Sequence, residues 1–332
     1  MKNQSLKKIG NIVSNFKNVK VMVIGDLILD EFLWGDVTRI SPEAPVPVVW
    51  VRKESFMPGG ASNVANNLRS LGAGVYLVGV IGDDERGAIL KGALEQKGID
   101  TAGVMMDESR PTTLKTRVVA HHQQVVRIDK EKVDSLDAGI TGRLINYVER
   151  MIKSVDAVII EDYGKGVISP LLLSKVLPLA KKSGKIISVD PKEEHFKYYK
   201  GVTTITPNNH EAAKAAGFEI KDDSSLKKAG QVLLNKLNCR IVLITLGENG
   251  MAVFQKGKPM KHIPTVAQEV FDVSGAGDTV VASFTLSLAA GAGPIMAAHI
   301  ANCAAGIVVG KIGIAVVTPQ ELINRIERER AK

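Results

Sequence analysis

The stretch VKVMVIGDLILD, Val19–Asp30, reads as an apolar, β-branched strand that stops at Gly25 and is followed by two acids, Asp26 and Asp30. Strands of this kind occupy the interior of parallel sheets, where both faces are covered. The turn after it is GDLILD, not GxGxxG, which disfavours the dinucleotide cradle of a Rossmann fold. Similar runs recur along the chain: VYLVGVIG (75–82), DAVIIED (156–162), KIISVD (185–190), TTITPN (203–208), RIVLITLG (240–247) and MAVFQ (251–255). They alternate with helical patterns. The expectation is an α/β fold with a mostly parallel central sheet flanked by helices, and a ligand site beyond the carboxyl ends of its strands. Several runs end there in Gly, Asp or Asn.

Two stretches break the rhythm. RISPEAPVPVVWVRKES (39–55) is Pro-rich and edge-like, and TTLKTRVVAHHQQVVRID (112–129) alternates polar with apolar residues. They are expected to form a small inserted β-sheet lid, from segments of about 32–57 and 111–130, on one domain spanning residues 1–332.

Composition narrows the function. The net charge of +8 over 332 residues is not concentrated in a dense basic tract, and 5% aromatic residues supply few stacking platforms, so nucleic acid is not the expected partner. Cys239 and Cys303 stand far apart without a CxxC neighbour, which indicates neither a disulfide framework nor a zinc site and fits a cytoplasmic protein. The basic N-terminus lacks the apolar core of a secretory signal. Thr279–Gly310 carries no Asp, Glu, Lys or Arg, yet Gly291, Gly293 and Pro294 divide it into pieces shorter than the roughly 20 residues a bilayer requires. Two buried helices, and no membrane, are expected.

EVFDVSGAGDTVVASF, 269–284, sets small residues and one acid between apolar runs. If Ser274–Gly277 turn into a helix beginning at Asp278, the amides of Gly275, Ala276, Gly277 and Asp278 form an anion cradle with a carboxylate beside it. In phosphoryl transfer, where catalysis is positioning and charge stabilisation, those parts suffice. The same residues also read as an ordinary capped helix after a flexible turn. GDDERGA at Gly82 lacks the Lys and Ser/Thr of a P-loop.

The 269–284 stretch resembles the C-terminal signature of the ribokinase-like (PfkB) sugar kinases, and PGGASNVANNLRSLG (58–72) resembles their N-terminal signature. GDLILDEFLWGDVTRISPEAPVPVV, RPTTLKTRVVAHHQQVVRID, EDYGKG, VDPK and ITPNNHEAA are similar to the kinase part of bacterial heptose-phosphate kinase/ADP-heptose synthase proteins. The resemblance implies ATP- and Mg²⁺-dependent phosphorylation of the anomeric hydroxyl of D-glycero-β-D-manno-heptose 7-phosphate, a step toward ADP-heptose and the lipopolysaccharide core. The chain stops at Lys332, so a separate nucleotidyltransferase is expected to act downstream. Ribose, fructose or a nucleoside as substrate, or a non-catalytic sensor on the same scaffold, are the alternatives.

By the same resemblance Asp278 is the general base, and Gly275, Ala276 and Gly277 hold the transferring phosphoryl group. Asp26, Asp30, Gly59, Gly60 and Asn63 meet sugar hydroxyls. Arg117, with Lys115 and Gln123 (and His121 and Arg127 beside them), meets the 7-phosphate; each also reads as a solvated strand residue. Asn208, Asn209, His210 and Glu211 lie near the ATP phosphates, Glu211 touching Mg²⁺ through water, although Asn208 and Glu211 have the spacing of a capping box. Lys192, Thr245, Gly247 and Asn302 are placed on the nucleotide side, against a bland reading of surface charge and packing. Asp272 and Ser274 correspond to positions for a monovalent cation such as K⁺. A homodimer through the lid would cover its exposed edge.

Overall fold

The computed structural model describes residues 2–121, 123–265, 270–311 and 313–331. Glu269, the first residue of the C-terminal signature stretch, and His122 in the lid stretch lie outside them.

The strands in chain order are β1 (Lys20–Gly25), β2 (Leu27–Ile40), β3 (Pro47–Gly60), β4 (Gly74–Gly82), β5 (Asp100–Asp107), β6 (Thr113–Ala120) and β7 (Gln123–Lys130), followed by β8 (Ala157–Glu161), β9 (Ile186–Asp190), β10 (Thr204–Ile205), β11 (Ile241–Thr245), β12 (Met251–Gln255) and β13 (Lys261–Ile263). The helices are α1 (Lys2–Asn15), α2 (Ala61–Ser70), α3 (Glu85–Gln96), α4 (Ala138–Met151), α5 (Pro170–Lys182), α6 (Asn209–Ala216), α7 (Asp223–Leu237), α8 (Ala276–Ala289), α9 (Pro294–Val308) and α10 (Pro319–Ala331).

The large sheet has the order β13-β12-β11-β10-β9-β8-β1-β4-β5, parallel except for the antiparallel pairings of β12 and β13. The alternation along β1 explains why it sits centrally. Val21 and Val23 join the apolar core shared with α2, α8 and α9, while Met22 and Ile24 join the core shared with α4, α5 and α7. Both faces are thereby covered, as the unbroken apolar run requires. The chain turns from β1 toward β4 on one side and later to β8 on the other, so the order reverses between β1 and β8. In open α/β sheets such a crevice, at the carboxyl ends of the strands, is where ligands bind.

The second sheet has the order β3-β2-β6-β7. Only Asp26 separates β1 from β2, so one continuous strand path feeds both sheets. Around the Pro-rich stretch the lid strands β2 and β3 run from Leu27 to Gly60, wider than the expected 32–57, whereas β6 and β7 span Thr113–Lys130, within the expected 111–130. The expected strand through TTITPN shrinks to Thr204–Ile205. The charge-free 279–310 stretch forms two buried helices with Pro294 opening the second, and no described helix is long and apolar enough to cross a membrane. α8 starts at Ala276, two residues before the expected start, because Gly275 adopts φ 77° and turns the chain into the helix.

Candidate active site

Asp278 enters the first turn of α8 at the switch point between β1 and β8, and it is buried (4% exposed). Asn63 on α2 donates from Nδ2 to Asp278 Oδ2 at 2.6 Å, and Tyr163, just after β8, donates from its hydroxyl to Oδ1 at 2.9 Å. Asn67, one turn on from Asn63, donates to Asn63 Oδ1 at 3.2 Å and accepts from Thr279 Oγ1 at 3.0 Å, which fixes the Asn63 amide. The two asparagines, poor helix formers, thus lock α2 to α8. Burial pushes the Asp278 carboxyl up to about 6, offset in part by the donors Asn63 and Tyr163. An acid in that range is deprotonated at neutral pH yet basic enough to take a proton.

The cradle beside it is narrower than the four expected amides. Ala276 N donates to Val273 O at 3.2 Å, closing the turn, which removes it from the set. Gly275 and Gly277 have no such backbone partner among the described residues. A Cβ at Gly275 would come 2.7 Å from Asn63 Nδ2, whereas one at Gly277 would meet nothing within 4 Å among the described residues. Gly277 faces open space, and that space is the junction of two cavities.

The first, about 320 Å³, is polar and lined by Asp162, Tyr163, Asp190, Lys192, Thr206, Asn208, Glu211, Thr245, Gly277 and Asp278 among others. The second, about 400 Å³, is mainly apolar and lined by Thr245, Gly247, Gly250, Met251, Val280, Asn302 and Val309 among others. Thr245 and Gly277 belong to both. Asn302 is oriented by donating to Pro264 O at 2.6 Å. Asn208 and Glu211 form a reciprocal capping box, Asn208 N to Glu211 Oε2 at 2.8 Å and Glu211 N to Asn208 Oδ1 at 3.0 Å, and both also line the polar cavity. Asn209 and His210 are exposed on the first turn of α6 and are not among the residues lining either cavity. Asp272 accepts from Ser274 N at 2.8 Å in a tight turn before α8.

The two acids after the first strand, both expected to meet sugar hydroxyls, have different partners in the fold. Asp26 was expected to face sugar hydroxyls, but its carboxylate accepts from the amides of Tyr163, Lys165 and Val167 at 2.9, 3.0 and 3.1 Å. It fastens the loop that carries Tyr163. Asp30 meets a side chain instead: Arg117 donates to it, and its nearness raises the Asp278 carboxyl. Parallel pairing of β2 with β6 sets Lys115 opposite Asp30 and Arg117 opposite Phe32 on one face, and Arg117 packs over the Phe32 ring at 5.3 Å. Gly59 and Gly60 lie at the end of β3 against these acids. A Cβ on Gly59 would fall 2.0 Å from Asp30 Oδ2, and Gly60 takes φ 53° with Asp26 O 2.7 Å from its would-be Cβ. Lys115 reaches Asp129 at 3.8 Å, and Arg127 chelates the same acid at 2.8 and 3.0 Å. Gln123 sits exposed at the β6–β7 tip, paired with Ala120, five register steps from the Lys115–Asp129 pair.

Three further acids, Glu161 and Asp162 buried and Asp190 half-buried, were not singled out from the sequence. Glu161 and Asp190 are register partners on β8 and β9, and oxygens of Glu161, Asp190 and Asp278 lie within 4.8 Å of one another. Glu161 is 0% exposed, and as an ionised group neither of its oxygens has a hydrogen-bond partner among the described residues. A proton on Glu161 turns its contact with Asp190 into a hydrogen bond. Burial, then Asp190 and then Asp278, accordingly push the Glu161 carboxyl well above the usual range; burial and Glu211 raise Asp190 to about 8. Asp162 anchors the neighbouring loop, accepting from the Tyr199 hydroxyl at 2.5 Å and pairing with His195 Nδ1 at 2.7 Å. The available signal was positional: DAVIIED and KIISVD end in acids at the carboxyl edge of the sheet.

A family model described as pfkB family carbohydrate kinase matches residues 18–321. The chain is 47% identical over 315 residues to the bifunctional protein HldE of Desulfatibacillum aliphaticivorans, covering 95% of this chain and 64% of that protein. It is 46% identical over 303 residues to the bifunctional protein HldE of Helicobacter pylori strain J99, covering 91% and 65%. The chain therefore spans slightly less than two thirds of the length of these relatives. Among solved structures, Arabidopsis thaliana ribokinase complexed with ribose and ATP aligns with a TM-score of 0.74 at 20% identity, covering 93% of this chain and 98% of that one. Escherichia coli phosphofructokinase-2 in complex with substrates and products aligns with a TM-score of 0.77 at 18% identity, covering 95% and 100%. At these identities the likeness is one of fold.

Proposed function

Because the chain belongs to the pfkB family of carbohydrate kinases, we propose that it transfers the γ-phosphoryl group of ATP to the anomeric hydroxyl of D-glycero-β-D-manno-heptose 7-phosphate, giving the 1,7-bisphosphate. The observation that carries this reading is the placement of Asp278: a buried carboxylate, oriented by Asn63 and Tyr163, beside the glycine where a polar and an apolar cavity meet.

The apolar cavity takes the nucleoside, between Gly247 and Asn302, and the polar cavity takes the phosphates, with Lys192 and the Gly275 and Gly277 amides as donors. The anomeric hydroxyl loses its proton to Asp278 as its oxygen attacks the γ-phosphorus in line, while ADP leaves toward Lys192. Asp30, next to Gly59, accepts hydrogen bonds from sugar hydroxyls, and the Arg117–Lys115 pair on the lid receives the 7-phosphate. Arginine suits that role because its fork pairs bidentately with phosphate oxygens.

The set of buried oxygens fits a hard divalent cation: Glu161 is unpartnered as an anion, and Asp190 and Glu211 line the phosphate cavity. Asp190 and Glu211 would hold Mg²⁺, Glu211 through water; when bound, Mg²⁺ offsets phosphate charge. Asp272 and Ser274 are the positions for a monovalent cation. The exposed Trp50, Val126 and Ile128 on the lid strands favour a homodimer through that sheet, in the cytoplasm.

Phosphorylation of a panel containing heptose 7-phosphate, ribose, fructose and a nucleoside tests the assignment. Turnover greatest on the heptose phosphate is expected. Turnover on ribose with none on the heptose phosphate would overturn it and favour a kinase for another sugar on the same scaffold.

A further inference from the structure

A second group of ligating side chains lies away from the candidate active site, at the contact of α9 with the C-terminal helix. His299 and Cys303 are four residues apart on α9, so both project from one face of the helix. Glu329, in the last turns of α10, closes the group: its Oε2 is 3.2 Å from Cys303 Sγ and 3.7 Å from His299 Nε2, and the sulfur and the imidazole nitrogen are 4.0 Å apart.

Those separations have a chemical meaning. With bonds of about 2.3 Å to sulfur and about 2.0 Å to nitrogen and oxygen at tetrahedral angles, three ligands of zinc stand about 3.3–3.6 Å from one another. The observed triangle lies within about half an ångström of that at each edge. We propose that His299, Cys303 and Glu329 form a binding site for a thiophilic divalent cation, Zn²⁺ by chemical class, that fastens α10 to α9.

The donor set selects the metal. Thiolate with imidazole favours Zn²⁺ over Mg²⁺, which prefers oxygen alone. Thiolate and carboxylate together carry two negative charges, which one such cation neutralises. Three protein ligands leave a fourth tetrahedral position for water. Entry is open from the rim, where the His299 and Glu329 side chains keep 22% and 31% of their exposure, while Cys303 is buried behind them. A search for paired cysteines misses the arrangement, since the third ligand comes from another helix.

The site bears on the nucleotide side without belonging to it. Cys303 follows Asn302, which lines the apolar cavity with Ala305, Gly306 and Val309 of the same helix region. A cation holding α10 against α9 would steady that wall.

The test uses the full chain, stripped of metal by a chelator. Zn²⁺ is titrated by calorimetry, and Co²⁺ is added separately as a spectroscopic probe. The expected result is one equivalent of Zn²⁺ bound, a thiolate-to-cobalt charge-transfer band with tetrahedral d–d bands, and a melting temperature that rises with Zn²⁺ concentration. Cys303→Ser should abolish the charge-transfer band and weaken binding at least about 100-fold. Should that buried substitution impair folding, Glu329→Gln and His299→Gln, at partly exposed positions, should each weaken Zn²⁺ binding at least about tenfold with unchanged circular dichroism. Absence of stoichiometric Zn²⁺ binding, absence of the charge-transfer band, or binding unaltered in the variants overturns the site and leaves the group as a thiol hydrogen-bonded to Glu329 with the His299 imidazole 3.7 Å from the same carboxylate.

Discussion

The Tyr163 hydroxyl donates to Asp278 Oδ1 at 2.9 Å, and through this bond the loop after β8 regulates the acid at the head of α8. Tyr163 is itself pushed well above the usual tyrosine range by burial and by Asp278, so it stays a donor throughout the working pH range. A donor to the ionised form lowers a carboxyl's pKa, and its loss raises it. With Asp278 at about 6, kcat/KM should fall on the acid side through about pH 6. Tyr163→Phe should move that limb to higher pH by about one unit, since a hydrogen bond to a charged group is worth about 1.5–3 kcal/mol and one unit about 1.4 kcal/mol. An acid limb that stays in place in the pH profile of the variant would detach Tyr163 from the ionisation.

Asp278→Asn keeps the shape of the acid and removes its basicity. Turnover should drop by about 10²–10⁴, the range for losing a general base, while nucleotide affinity measured by calorimetry stays within a few-fold of the parent. Retained turnover would assign the proton to another group.

Gly275 and Gly277 are two residues apart and predict opposite defects. Gly275→Ala forces a side chain onto φ 77° and against Asn63, and should cost about 1–3 kcal/mol of stability in denaturant titration. Gly277→Val has room in the protein itself and should leave stability within about 0.5 kcal/mol, but it fills the junction of the cavities and should raise the KM for ATP. The same defect in both would mean that the glycines serve only the turn.

Arg117→Met removes the guanidinium but keeps an apolar stem over Phe32. It should raise the KM for heptose 7-phosphate by about 10²-fold, as expected for a lost charge-assisted pair of about 2–3 kcal/mol, and leave the KM for ATP nearly unchanged. An equal rise in both constants would indicate a general loss of lid structure through the uncompensated Asp30.

Glu161→Gln tests the buried acids without touching the base. Glu161 and Asp190 have folded-state values above their unfolded ones, Asp190 at about 8, so the native state retains protons that the unfolded chain has released. Stability should therefore decline as pH rises from the ordinary carboxylate range through about 8. The amide removes one of the two charges, so the variant should be about 1–3 kcal/mol more stable than the parent at pH 8 to 9, with a shallower slope. Parallel melting-temperature profiles would show that the pair does not titrate in this window.

Much of this was legible in the residues. The apolar run through Val21–Ile24 dictated a central strand, and the small residues before Asp278 located a helix start with an acid beside it. What the sequence did not carry was which partner each acid of GDLILD meets. Asp26 and Asp30 differ only in what arrives opposite them, three loop amides in one case and the Arg117 strand in the other, and both arrive from more than 80 residues away. Glu161 was hidden for a related reason: its neighbours Asp190 and Asp278 are brought to it by the sheet register and by α8. The capping box of Asn208 and Glu211 was readable from spacing alone because both partners lie within one helical turn.

The single residue between β1 and β2 has a mechanical consequence. Asp26 is clamped by three amides at the point where the two sheets share a chain, which ties the root of the smaller sheet to the larger one. Any opening must be absorbed farther out, and the ladder between β2 and β3 already breaks register at Trp34/Gly35 and again at Val37/Arg39. Substrate traffic would then be governed by bending of the distal strands, with Asp30 and Arg117 remaining on the stationary side of the hinge.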